Sequence, residues 1–203
     1  MPNPTDPGLL TVSFLAAFLC GSLPTAFLAG KLKHVDIRRH GSGNVGATNA
    51  FRVLGKGYGI AVFLVDFLKG FLPAFLFPKV FWGEASVPAL ILWAGSAAIL
   101  GHIFTPFLKF KGGKGVATGA GVVAALHPLL LLLMLFVWGA ALLSTKIVSI
   151  SSLISITFGV IGVLILKRPA LELGFFFALF LLSLWTHRSN ISRLFNKSEN
   201  KVS

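Results

Sequence analysis

Leu9-Leu-Thr-Val-Ser-Phe-Leu-Ala-Ala-Phe-Leu-Cys-Gly-Ser-Leu-Pro-Thr-Ala-Phe-Leu-Ala-Gly30 is a run of 22 residues without a charge. A helix that crosses a bilayer needs roughly 20 apolar residues, so this run reads as a membrane span. Only Asp6 is charged before it, and no Lys or Arg is present there. The positive leader of a signal peptide is therefore missing, and the run is expected to be a retained helix, kinked at Pro24. The same reading extends over the chain. It is 55% hydrophobic and 12% charged, with mean hydropathy +0.86. A soluble domain carries about 25% charged residues. An integral membrane protein follows, expected as one polytopic domain over residues 1–203 with a disordered tail at 197–203.

Six further spans are expected: Gly57–Pro78, Pro88–Phe107, Val116–Leu126, Leu129–Leu143, Ile147–Leu166 and Ala170–Trp185. His127-Pro128 separates the fourth from the fifth, because proline disrupts a helix interior. Seven spans sort the cations sharply. Lys31, Lys33, Arg38, Arg39, Arg52, Lys56, Lys109, Lys111, Lys114, Lys146, Arg188, Arg193, Lys197 and Lys201 fall on one side. Lys79, Lys167 and Arg168 fall on the other, and Lys69 lies at membrane depth. The short connector Lys79–Val87 carries Glu84. By the positive-inside rule the N-terminus is outside and the C-terminus cytoplasmic. The net charge of +12 is thus a topological signal rather than a sign of nucleic-acid binding. The lone Cys20 excludes a disulfide framework or a cysteine metal site.

Four basic or hydroxyl-rich segments then share the cytoplasmic face. The first is His40-Gly-Ser-Gly-Asn-Val-Gly-Ala-Thr-Asn-Ala-Phe-Arg52. Gly41, Gly43 and Gly46 permit positive φ and close approach of a ligand. Consecutive backbone N–H groups in such a turn form an anion nest. Ser42, Asn44, Thr48 and Asn49 add donors, and Arg52 adds a fork suited to phosphate. The alternative is a polar inter-helix loop built from turn residues. The pattern Gly41-x-Gly43-x-x-Gly46 also matches the dinucleotide fingerprint, which requires a preceding strand and a βαβ unit. Charged residues precede it and a span follows, so that reading fails. No Walker A is present either, since Gly115 follows Lys114.

The second segment is Lys109-Phe-Lys-Gly-Gly-Lys-Gly115. Lys111, Gly112, Gly113, Lys114 and Gly115 form another candidate anion turn just before a helix, where backbone N–H groups favour phosphate. A positive-inside anchor explains the lysines but not the glycines. The remaining segments carry Lys146, Ser149 and Ser152, and His187 and Asn190. Asp66 and Lys69 lie three apart on one helical face within a span. They read either as a functional pair or as an ion pair that holds the helix in place. His102 reads as a hydrogen-bonded structural residue. Six scattered acids offer no paired carboxylates, no Ser-His-Asp set is visible and no cluster has metal-ligand spacing. An enzyme with this inventory works by charge stabilisation and positioning, or uses a substrate phosphate as base. A transporter of organic phosphates is the rival reading. Against it, nearly all cations lie at one face, whereas a permeation path needs polar groups through the bilayer.

Three runs carry a resemblance: Gly41 to Asn49 with Arg52, Gly101-His102 through Phe110-Lys-Gly-Gly-Lys-Gly-Val-Ala-Thr118, and Lys146 with Ser149 and Ser152. Together they resemble the motifs of the bacterial acyl-phosphate:glycerol-3-phosphate acyltransferases (PlsY). Thr145-Lys146-Ile147 departs from that pattern, in which an aromatic residue follows the cation. The resemblance implies a seven-helix enzyme of the bacterial inner membrane, with its active site facing the cytoplasm. It implies acyl transfer from acyl phosphate to the 1-position of sn-glycerol 3-phosphate in phospholipid synthesis, with no cofactor and no metal. By the same resemblance Ser42, Arg52, Lys114, His187 and Asn190 are catalytic. Gly41, Gly43, Asn44, Gly46, Thr48, Asn49, Lys69, His102, Lys111, Gly112, Gly113, Gly115, Ser149 and Ser152 line the substrate sites. Its partners are the two phosphorylated substrates and the lipid bilayer, with no nucleic acid, and it is expected to be a monomer.

Overall fold

In the computed structural model, which describes residues 2–83 and 87–202, helices and short turns account for all regular structure among the described residues. Glu84 falls outside them. Two compact units divide the chain, Met1–Leu126 and His127–Ser203.

The first unit contains α1 (Pro7–Gly21), α2 (Thr25–Leu32), α3 (Ala47–Leu54), α4 (Lys56–Trp82), α5 (Pro88–Ile103) and α6 (Val116–Leu126). Asp6 caps α1 by accepting the Leu9 N–H at 3.0 Å, and Pro7 begins the helix where no N–H is needed. The expected kink at Pro24 is a break between α1 and α2. It is held by Thr105, whose hydroxyl donates to the Ser22 carbonyl at 2.6 Å. Helix α4 runs through Pro73 and Pro78 and extends to Trp82, beyond the expected end at Pro78. At about 1.5 Å per residue its length is roughly 40 Å, more than the bilayer core needs. Helix α5 ends at Ile103, earlier than expected, and a 3-10 turn at Pro106–Leu108 follows.

Small residues bring these helices close together. A Cβ on Gly21 would lie 2.0 Å from the Ala98 carbonyl oxygen, and one on Gly101 would lie 2.1 Å from that of Phe18. Helices α4 and α6 meet the same way: a Cβ on Gly70 would lie 2.0 Å from the Thr118 carbonyl oxygen and one on Gly121 would lie 2.1 Å from that of Phe67. Within a bilayer, helix association rests on such backbone approach, because burying apolar side chains drives little there. Gly121→Ala should therefore destabilise the protein by about 1–3 kcal/mol through overpacking. Gly139→Ala, where nothing lies within 4 Å of the added Cβ, should not. Thermal unfolding in detergent measures both, and equal melting points would show that the α4–α6 contact tolerates separation.

The second unit contains α7 (Pro128–Thr145), α8 (Val148–Ile165), α9 (Ala170–Thr186) and α10 (Arg188–Phe195). Pro128 starts α7, as the His127-Pro128 interruption predicts. Helix α8 packs against both α7 and α9. In the first turn of α9, Glu172 is almost fully buried. It accepts from Arg168 at 2.9 and 3.1 Å and meets the His127 ring at 2.6 Å. The carboxylate holds the Arg168 guanidinium, in the connector, above its ordinary pKa.

Among the described residues, five helices are long and apolar enough to cross a membrane, counting α1 with α2 as one. Taking α9 with α10, bent by 58°, as another raises the number to six, and α6 is a shorter apolar helix. The protein is a multi-pass membrane protein. Residues after Trp185, expected as a polar tail, form α10. Beyond Lys197, where disorder was expected, Ser198 N–H donates to the Arg193 carbonyl and Val202 N–H to that of Lys146, each at 2.8 Å.

Candidate functional site

In the first unit the glycine loop is built around one side chain. Asn49, 1% exposed on α3, accepts the Ser42 N–H at 2.9 Å. Its amide group donates to the Ile37 and His40 carbonyls at 3.2 and 3.1 Å. Its polar contacts are thus internal, and it shapes the loop rather than reaching outward. Gly41 and Gly43 take φ of +61° and +70°, the region glycine is needed for. A Cβ on Gly41 would also meet the Asn49 side-chain oxygen at 2.3 Å. Gly46 differs from its two companions: its φ is −127°, extended, and it caps α3. Ser42, Gly43, Asn44 and Thr48 remain half-buried, and the first turn of α3 has N–H groups without intrahelical partners. A rigid loop leading into a helix N-terminus favours an anion. Arg52 lies on the last turn of the same short helix. Arg38 donates to Asp36 through its backbone and guanidinium, and this pair holds the Asp36 carboxyl down at about 2.

The second glycine turn takes a form that its spacing does not predict. Gly112 N–H donates to the Ile103 carbonyl at 2.9 Å and Gly113 N–H to that of His102 at 3.2 Å. A Cβ on Gly112 would lie 2.0 Å from the His102 carbonyl oxygen, and one on Gly113 would lie 2.2 Å from the His102 ring. These two glycines let the turn lie against the end of α5. Gly115 has φ +78° and leads into α6. Lys111 is exposed and Lys114 half-buried.

Beneath that turn lies a buried polar cluster. Lys69 Nζ stands 2.9 Å from Asp66 Oδ1 and donates to the Leu23 carbonyl at 2.8 Å. The Lys69–Asp66 approach is one of charge, because Oδ1 has no hydrogen bond of good alignment. His102 Nδ1 is 3.9 Å from the same oxygen and 3.0 Å from the Thr118 hydroxyl. Lys69 and His102, remote in sequence, thus share Asp66 as a neighbour, and Thr118 meets His102 from α6. Thr118 ends the second motif and was not singled out from sequence. Its spacing two residues past Gly115-Val116 puts it on the first turn of α6, facing His102.

In the second unit a further convergence involves a residue absent from every motif. Glu199 accepts hydrogen bonds from the Ser149 hydroxyl at 3.0 Å, from the Asn190 amide, and from Arg193 Nε at 2.6 Å. Burial pushes the Glu199 carboxyl up, but these hydrogen bonds outweigh it and hold the carboxyl below its usual range. Ser149 and Asn190, 41 positions apart, are brought together at this carboxylate. Ser152 donates to the Val148 carbonyl and accepts from the Trp138 indole at 3.2 Å. His187 sits at the bend between α9 and α10, with Nδ1 2.9 Å from the Ser183 carbonyl. A carbonyl only accepts, so Nδ1 carries a proton. Each unit therefore gathers its own subset of the residues expected in the site.

A family model described as glycerol-3-phosphate acyltransferase matches residues 11–197. The chain is similar to the glycerol-3-phosphate acyltransferase of Bacillus velezensis, 44% identical over 96% of this chain and 98% of the relative. It is 42% identical to glycerol-3-phosphate acyltransferase 3 of Bacillus anthracis over 93% of both. Two crystal structures of PlsY, an integral membrane glycerol 3-phosphate acyltransferase, share 38% of their residues with it. The glycerol 3-phosphate form has a TM-score of 0.89 over 96% of both chains. The lysophosphatidic acid form has a TM-score of 0.86 over 96% of this chain and 95% of that one.

Proposed function

The chain belongs to the glycerol-3-phosphate acyltransferase family, and from that premise we propose that it moves a fatty acyl group from acyl phosphate to the 1-hydroxyl of sn-glycerol 3-phosphate. The products are lysophosphatidate and inorganic phosphate. The observation that carries this reading is the loop at Gly41–Gly46, held by Asn49 at the start of a helix, a local form suited to phosphate. Acceptor and product of the proposed reaction correspond to the two forms in which the PlsY structures were determined.

In the reaction the acceptor hydroxyl oxygen bonds to the acyl carbon while the bond from that carbon to the phosphate oxygen breaks. The electron pair leaves with phosphate, and the hydroxyl proton passes to a phosphate oxygen. A phosphate with second pKa near 6 is a competent proton acceptor near neutral pH. Gly41, Ser42, Gly43, Asn44, Gly46 and Thr48 surround the donor phosphate, with Asn49 as their frame. Ser42, Arg52, Lys114, Ser149, Ser152, His187 and Asn190 hold glycerol 3-phosphate. Lys111 draws phosphate toward the second turn, which Gly112 and Gly113 seat against His102 and which Gly115 leads into α6. Lys69 contributes positive charge from below. The protein acts as a monomer.

The test is phosphate release by the purified protein in detergent, supplied with acyl phosphate and glycerol 3-phosphate. Turnover that requires both substrates supports the reading. No release, or release independent of glycerol 3-phosphate, defeats it.

We also propose seven crossings, with α6 as a short one and α9 as the last, in a bacterial inner membrane. The 14 cations on one side against 3 on the other support an outside N-terminus and a cytoplasmic site. In a Cys20→Ala background, Lys167→Cys should react with an impermeant thiol reagent applied to intact cells. Lys109→Cys and Asn196→Cys should react only after the cells are opened. Labelling of Asn196→Cys from outside overturns this orientation.

A further inference from the structure

We infer that Glu199 is a tethered competitor for substrate phosphate: its carboxylate occupies the donors that glycerol 3-phosphate needs, and the acceptor must displace it. This rests on the proposed assignment of Ser149 and Asn190 to glycerol 3-phosphate. A hydroxyl, an amide and a guanidinium converge on one carboxylate from α8 and α10. That donor set is one a phosphate oxygen would also use. The segment carrying Glu199 is fastened on both sides, by Ser198 N–H to the Arg193 carbonyl and by Val202 N–H to the Lys146 carbonyl. Three residues separate Glu199 from the end of α10 at Phe195. A tether that short keeps the carboxylate at an effective concentration in the millimolar range. Glu199 also lies past residue 197, where the match to the family model ends.

The physical consequence is a split between binding and turnover. Carboxylate carries one negative charge, and a phosphate monoester carries nearly two with three acceptor oxygens. Saturating glycerol 3-phosphate therefore wins the site, and the substrate-bound enzyme has its tail displaced. The latch lowers the fraction of binding-competent enzyme and raises the apparent KM by the inverse of that fraction, leaving kcat alone. A latch closed about four-fifths of the time raises KM about fivefold.

The experiment compares wild type, Glu199→Ala and Glu199→Gln in the phosphate-release assay. The expected result is a fall in KM for glycerol 3-phosphate of about fivefold in Glu199→Ala, a smaller fall in Glu199→Gln, and kcat unchanged in both. Unchanged KM, with wild type active, overturns the latch and leaves the functional reading standing. A raised KM or a lowered kcat overturns it as well, because Glu199 then supports Asn190 and Ser149 instead of competing for them. No turnover in any of the three removes the reading and the latch together. A spin label at Lys201→Cys in the Cys20→Ala background supplies a second readout. It should gain mobility when glycerol 3-phosphate is added and not when glycerol is. Equal mobility with both overturns the displacement.

Discussion

Lys69→Met should cost about 3–5 kcal/mol of stability, the range for removing one partner of a buried ion pair. The charge left behind is Asp66, 2% exposed, and the substitution takes away the cation 2.9 Å from its Oδ1. Methionine fills the volume of the lysine stem but cannot compensate the carboxylate or donate to the Leu23 carbonyl, which Lys69 reaches at 2.8 Å. His102 Nδ1, at 3.9 Å, is too far to serve as a hydrogen-bond donor without moving. A loss of this size should lower the melting point in detergent by roughly 10 °C. Asp66→Asn in the same chain removes the uncompensated charge, so the double variant should recover most of that loss. Turnover then separates the two readings of the pair. If Lys69 faces substrate, the double variant melts near the wild type and stays inactive. If both stability and activity return, the pair is a fastening for α4 and nothing more.

Asn49→Ala should reduce turnover by about 100-fold or more while the protein remains folded. The substitution leaves the Ser42 N–H and the Ile37 and His40 carbonyls without their partner. Each lost bond that leaves a buried group unsatisfied costs about 1–3 kcal/mol. Here the loop lies at the edge of the structure, with Gly41 and His40 exposed, so water replaces part of what is lost. The damage is therefore local: Gly41 and Gly43 are no longer held in place. A displacement of about 1 Å at a reacting group can cost 10²-fold in rate. Asn49→Asp should be equally inactive, since it keeps one acceptor but faces the Ile37 and His40 carbonyls with a second oxygen instead of a donor. The checks are kcat/KM and a melting curve on the same preparations. Activity above about a tenth of wild type in either variant would show that the loop keeps its shape without Asn49.

Much of this protein was legible before any coordinates. Apolar runs of span length place it in a bilayer, because no other solvent tolerates so much exposed hydrocarbon. Pro7, Pro88 and Pro128 each open a helix, as a residue without an N–H does best at a first turn. Positive φ at Gly41 and Gly43 follows from local chemistry alone. What spacing could not decide was which partner each group meets. Gly112 and Gly113 look like Gly43 in sequence, yet they are glycines because the end of α5 lies against them, a constraint set by a residue ten positions away. Gly46 looks like its neighbours and is extended instead, since it caps a helix. Asn49 read as a ligand donor, and tertiary structure spends its polar atoms on the loop. Glu199 had no signal: a single acid in a polar tail acquires meaning only when α8 and α10 bring Ser149, Asn190 and Arg193 to it. Periodicity and turn chemistry are local, so the sequence by itself determines spans and turns. Contacts between segments tens of residues apart depend on how the helices pack, and only the tertiary structure decides those.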